Sequence, residues 1–172
     1  YHYLPSPDDL DWNFLGLSSH SPSSHPVLVY YTQKTTLSTF LLPFKHYRLS
    51  PKGVFPPPII YDQLCQCEIF STDNEVATLY VDSQESCLRF FVIQDKRIAY
   101  YRYTKLDLTL KSFKTALKNT LLFIQSNYPS LQVTEVVLLG ELIPFQSKLQ
   151  TFFKKLSLTL VPLTLPSIPG GT

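Results

Sequence analysis

The chain is expected to fold as an α/β protein around a mixed sheet, with element order β-β-β-α-β-α-β and a small strand-helix unit in front. Three observations predict it. From Val76 onward, short β-branched and aromatic runs alternate with segments whose apolar residues recur at 3.6-residue spacing. The first three runs follow one another through short polar turns, as antiparallel strands do, whereas each later run is reached through a helix, as parallel strands are. Finally, a composition that is 44% hydrophobic and only 16% charged can bury a core large enough to offset ordering entropy.

Residues 1–26 carry Pro5, Pro7, Pro22 and Pro26 with a serine-rich stretch from Ser18 to Ser24, and read as a loosely ordered lead. Tyr1, Tyr3, Trp12, Phe14 and Leu15 are too apolar for a free tail, so part of this lead should dock. Residues 27–75 form the strand-helix subdomain and its linker. Within it, 27–32 (VLVYYT) is a strand bounded by Pro26, and a helix capped by Thr35 or Thr36 places Leu37, Phe40, Leu41 and Phe44 on one face. Pro43 should kink or end that helix, 48–55 reads as turn and short strand, Pro56 to Pro58 as extended chain, and 59–67 as a short helix.

Residues 76–172 form the main unit. Strands are expected at 77–82 (ATLYVD), 87–94 (CLRFFVIQ) and 97–103, the last two joined by an Asp95-Lys96 turn. A long helix follows from Asp107, a cap candidate, to Tyr128, with Phe113, Leu117, Leu121, Ile124 and Tyr128 as its stripe. A buried strand at 133–139 ends at Gly140, a helix at 144–156 shows Phe145, Leu149, Phe152 and Leu156, and 158–161 begins the last strand.

Bulk properties narrow the function. Fifteen basic and 13 acidic residues, net +2, are interspersed with no basic block, so nucleic acid is not an expected partner. Three cysteines, an odd number in a chain of this size, favour a reducing, cytosolic compartment. Cys65 and Cys67 lack a second Cys or His pair at zinc spacing and read as half-buried thiols. Apolar runs are too short to span a membrane, and the absence of any Met points to an excised fragment.

The stretches VLVYYTQKTTLSTFLLPF, ATLYVDSQESCLRFFVIQDKRIAYYR and VTEVVLLGELIPFQSKLQTFFKKL resemble, phrase by phrase, the PilM and GspL proteins of type IV pilus and type II secretion assembly. These are actin-like proteins, with a ribonuclease H-like fold, and the resemblance covers roughly three quarters of the chain. It implies an actin-like half-domain. It further implies a cytoplasmic scaffold, peripheral at a bacterial inner membrane, that contacts an assembly ATPase and the cytoplasmic tail of a membrane partner. Whether the chain forms a homodimer is left open.

Departures from that family bear on chemistry. Active members place glycines after the strand-end Asp so that backbone N–H groups reach the nucleotide phosphates. Here Asp82-Ser83-Gln84-Glu85-Ser86 has no glycine and an extra carboxylate, and the later Gly-rich turn is reduced to Gly140-Glu141-Leu142. Asp82, Ser83 and Gly140 therefore read as the remnant of a nucleotide site, with no cofactor or metal expected and Asp82 read as a turn cap in place of a metal-orienting carboxylate. His2, His20, His25 and His46 lack acidic or Cys neighbours at ligand spacing, and Ser83 and Ser86 lack a nucleophile elbow. A non-catalytic protein-binding module is the leading expectation. The alternative is a nucleotide-binding actin-like ATPase whose other half lies outside this sequence.

For the partner surface, strand alternation places Tyr101 and Tyr103 with Ala99 on one face and Tyr100 with Arg102 on the other. Tyr100 and Arg102 are expected to be the outward, partner-binding pair, because an inward Arg would need a charged partner that the neighbouring strands do not supply. Trp12 and Phe14 are the next candidates.

Overall fold

A computed structural model of the chain describes residues 6–17, 26–67, 76–107 and 109–163. Two sheets organise them. β1 (Leu10–Gly16) and β2 (Val27–Gln33) pair antiparallel as a two-stranded ribbon, with Trp12 opposite Tyr31 and Phe14 opposite Val29. The lead segment is thus not uniformly loose: its middle supplies a strand, because Leu10, Trp12, Phe14 and Leu15 suit a pleated surface better than free chain. Tyr1, Tyr3 and the serine-rich stretch lie outside the described residues.

α1 (Lys34–His46) follows β2 directly, with Gln33 rather than Thr35 or Thr36 as its N-cap. Pro43 does not end this helix, which runs three residues further. Its ring occupies an exposed position, and the lost N–H removes only one helical bond near the C-terminus. No strand forms in 48–55. α2 (Pro57–Gln66) starts on the proline run instead of after it, since Pro57 and Pro58 occupy the first helical positions, where an N–H has no helical acceptor anyway.

The five-stranded sheet has order β5-β4-β3-β6-β7. β3 (Ala77–Gln84), β4 (Cys87–Gln94) and β5 (Arg97–Lys105) form the expected antiparallel meander, while β6 (Val133–Gly140) pairs parallel to β3 and β7 (Thr159–Leu160) parallel to β6. Both hairpin turns are two residues long and place both residues in the left-handed region: Glu85 and Ser86, Asp95 and Lys96. That mirror-image turn matches the twist of the strands it joins.

α3 (Leu110–Asn127) is capped by Thr109, not Asp107. The Ser112 N–H donates to the Thr109 hydroxyl and the Thr109 N–H to the Ser112 hydroxyl, a reciprocal capping box. After a turn of 3₁₀-helix at Ile143–Phe145 comes α4 (Gln146–Lys155). Both helices cover one face of the sheet. There Leu79, Val81, Leu88, Phe90 and Val92 meet Phe113, Leu117, Ile124, Leu149 and Phe153. Leu121 is only partly buried, because Thr120 takes the central position beside Leu117 and Ile124.

α2 covers the opposite face. It was grouped by sequence with β2 and α1, yet Cys65, Tyr61 and Leu64 pack on Tyr80, Phe91, Ile93, Val137 and Leu139. Tyr61 stacks on Phe91 at 4.1 Å, and Phe91 stacks on Tyr80 at 5.2 Å. Asp62, fully buried, accepts from the Ile98 N–H at 3.2 Å and from Arg97 Nε at 3.3 Å through Oδ1, and from Gln66 Nε2 at 2.6 Å through Oδ2. Arg97 also donates through Nη2 to the Gly16 carbonyl at 3.1 Å, which links β1 to the main sheet.

Candidate functional site

The carboxyl ends of β3 and β6 bring Asp82, Ser83 and Gly140 together, since Asp82 pairs with Leu139 and Ser83 with Gly140 in the parallel register. Such strand ends, beside helix starts, are where open α/β sheets gather ligand-binding groups. Gly140 has φ +60°, and a Cβ there would lie 2.3 Å from the Ser83 carbonyl and 2.9 Å from Asp82 Oδ1. Only glycine fits this approach. The Glu141 N–H completes it by donating to the Ser83 carbonyl at 3.0 Å.

Two side chains that the sequence did not single out close on the carboxylate. Tyr61 Oη on α2 donates to Asp82 Oδ2 at 2.5 Å, and Arg89 Nη1 on β4 donates to the same oxygen at 2.8 Å. Arg89 stands there because the two-residue Glu85-Ser86 turn sets it directly opposite Asp82 in the hairpin. The side chains of Arg89 and Asp82 are 16% and 13% exposed, so the pair is largely withdrawn from solvent. Electrostatics fit this enclosure. Burial, then the hydrogen bond to Asp82, pushes the Tyr61 phenol well above its ordinary range. Burial opposes the Arg89 charge, but Asp82 and Tyr61 outweigh it and hold the guanidinium above its usual value. Ser83 Oγ is buried and has no hydrogen-bond partner among the described residues.

The other sequence-predicted residues are dispersed. Tyr100 and Arg102 do share a face, as alternation requires, but it is the inner one. Tyr100 is 5% exposed, packed against Phe123 and Tyr128 of the α3 end, and Arg102 Nη1 donates to Thr120 Oγ1 at 3.2 Å. The expectation that this pair points outward is reversed because a helix hydroxyl, not a charge, satisfies the guanidinium. Arg102 lies at the sheet edge, so its tip opens into a shallow groove of about 420 Å³ shared with Thr104, Lys111 and Asn119. Of the three β5 tyrosines, Tyr103 is the exposed one, at 52%. Ala99 does not follow the Tyr101 face, since a register shift beside Ile98 leaves it in the α3-side core.

Trp12 and Phe14 lie on the ribbon, 61% and 58% exposed, on the same face as Val27, Val29 and Tyr31. Of the histidines, His46 stacks edge-on with Tyr47, and His2, His20 and His25 lie outside the described residues. Cys65 is buried and Cys67 exposed, so the C-x-C pair does not converge. Among the described residues no cluster of three or more His, Cys, Asp or Glu could hold a metal ion, and no helix is long and apolar enough to cross a membrane.

No family model and no curated protein matches the sequence. Solved structures do match. The chain superposes on a chain of the PilM-PilN type IV pilus biogenesis complex with a TM-score of 0.72 and 14% identity, over 93% of this chain and 58% of that one. A Bacteroides thetaiotaomicron protein with an actin-like ATPase fold and unknown function matches with a TM-score of 0.55 and 14% identity, over 94% and 57%. This chain therefore spans a little under three fifths of the length of either neighbour. With its mixed five-stranded sheet, helices on both faces and these neighbours, the chain has the actin-like fold, in the form of a half-domain.

Proposed function

We propose that the chain is a non-catalytic scaffold of a bacterial type IV pilus or type II secretion assembly platform, an actin-like unit that binds proteins instead of nucleotide. One observation carries the reading: the strand-end carboxylate of Asp82 is engaged internally by Arg89 and Tyr61, beside a turn that has no glycine. A nucleotide phosphate bound there needs bare backbone N–H groups and a carboxylate free to orient a cation. Glu85 and Ser86 instead close a tight hairpin, and Glu85 adds a repelling charge. The residues present do not fit the group.

Likeness to a chain of the PilM-PilN complex supports the assembly role and a membrane-protein partner, whose tail would dock at the cytoplasmic side of the inner membrane together with an assembly ATPase. The exposed apolar face of the ribbon, with Trp12, Phe14, Val29 and Tyr31, supports protein binding there. Calorimetry with millimolar ATP and Mg²⁺ is the test. No heat of binding is expected. A micromolar dissociation constant would overturn the proposal in favour of an ATPase whose other half lies outside these residues.

A further inference from the structure

Charge is distributed very unevenly over this molecule. Helices α3 and α4 carry Lys111, Lys114, Lys118, Lys148, Lys154 and Lys155 and not one Asp or Glu. The rest of the chain holds nine basic residues against 13 acidic ones. None of the six lysines makes an ion pair among the described residues. Along the sequence only Lys154 and Lys155 are adjacent, and the six form no block. Helical spacing gathers them: Lys111, Lys114 and Lys118 fall on one side of α3, and Lys148 and Lys155, seven residues apart, fall on one side of α4.

Packing joins the two groups. Lys114 Nζ lies 5.2 Å from the centre of the Phe152 ring of α4, so the lysine side of α3 and the neighbouring side of α4 meet in one surface. Lys148 Nζ lies 5.9 Å from the Phe145 ring. At the borders of this layer stand exposed apolar side chains: Leu110 and Leu122 on α3, Ile143 and Phe145 ahead of α4.

We infer that the outer face of α3 and α4 is a docking surface for an anionic phospholipid bilayer. Two features select a lipid surface over an acidic peptide. The charges on the two helices are all lysine, compact point charges that suit a diffuse anionic layer, whereas arginine's fork would favour bidentate pairing with particular carboxylates. They are also spread across the outside of two side-by-side helices with apolar residues at the margins, the arrangement of a surface that rests on headgroups and inserts shallowly. The inference is independent of the scaffold reading: vesicle binding tests this face whether or not the chain binds pilus proteins or nucleotide.

The probe is co-sedimentation with vesicles of phosphatidylcholine and phosphatidylglycerol in about a 2:1 ratio, against pure phosphatidylcholine. The full chain is expected to sediment with the first and not with the second. Raising salt from about 0.1 M to about 1 M shrinks the screening length from about 10 Å to about 3 Å and should release it. Each lysine near an anionic surface contributes about a fivefold gain in partitioning. The Lys111→Gln/Lys118→Gln/Lys155→Gln variant should therefore bind about a hundredfold more weakly. The variant Lys45→Gln/Arg48→Gln/Lys52→Gln removes the same charge from elsewhere and should bind like the parent. Equal loss in both variants, salt-insensitive binding, equal binding to neutral vesicles or no binding at all would each overturn the inference. Competition by soluble polyglutamate at concentrations where anionic vesicles are not bound would do so in favour of an acidic protein.

Discussion

Asp62→Ala should destabilise the protein by about 3 kcal/mol, and the structure shows where that figure comes from. The substitution removes an acceptor from the Ile98 N–H, Gln66 Nε2 and Arg97 Nε. Gln66 and Arg97 are exposed enough to turn to water, so their loss is modest. The Ile98 N–H cannot turn: Ile98 is fully buried, and an orphaned buried donor costs about 1–3 kcal/mol. Loss of the half-buried attraction to Arg97 brings the total near about 3 kcal/mol. In a chain of this size that is a fall in Tm of about 6–12 °C. Asp62→Asn keeps an oxygen for the Ile98 N–H and should cost only about 1 kcal/mol. Thermal unfolding of the two variants beside the parent is the assay. Melting of Asp62→Ala within about 2 °C of the parent would refute the idea that this carboxylate fastens α2 to the sheet.

Two further outcomes follow from burial. Leu117→Ala, at a fully buried site in the same helix-sheet core as Leu79 and Phe90, should cost about 3–5 kcal/mol by denaturant titration, and Leu121→Ala, partly buried, about half as much. Equal losses would mean that Leu121 belongs to the core as fully as Leu117. The Cys65 thiol is pushed up from 9.0 to about 12, first by burial and then by the Asp62 charge. The unfolded chain then releases that proton near pH 9 while the folded one keeps it, so Cys65's contribution to stability is whole below about pH 9 and is lost as pH rises towards 12. Tyr61 and Tyr80 are raised in the same direction, so the thiol's share is read as the difference between the parent and Cys65→Ala in urea titrations at pH 8 and pH 11. An identical pH dependence in the two proteins would refute the assignment.

Strand and helix order was legible from period alone, because β3 to β7 and α3 and α4 each have a one-sided or two-sided burial pattern that writes itself into spacing. Faces were harder. Alternation correctly tied Tyr100 to Arg102, but nothing local says which face of an edge strand receives the helix, and Thr120 as a neutral acceptor could not be foreseen. Asp82's partners divide the same way. Arg89 was within reach, since a two-residue turn at Glu85-Ser86 fixes the pairing with Asp82, whereas Tyr61 arrives from a helix over 20 residues away in sequence and needs the tertiary fold. The proline run misled because rigidity was read as extension, although the same φ also starts a helix. The lysines of α3 and α4 show the converse: interspersed in sequence, they become a single field once 3.6 residues make a turn.

The guanidinium and phenol at Asp82 have a consequence for anyone who would engineer phosphate chemistry into the chain. Both are tethered to the protein, so they compete with any diffusing ion at an effective concentration that never falls. Introducing glycines into the turn would leave the carboxylate occupied. Evicting its occupants is no simpler, because the Tyr61 ring is also the slab on which Phe91 and Tyr80 stack, and removing it loosens α2 from the sheet. Such a redesign must change the architecture and the chemistry in one step, and single substitutions meet a loss of stability before any gain in binding.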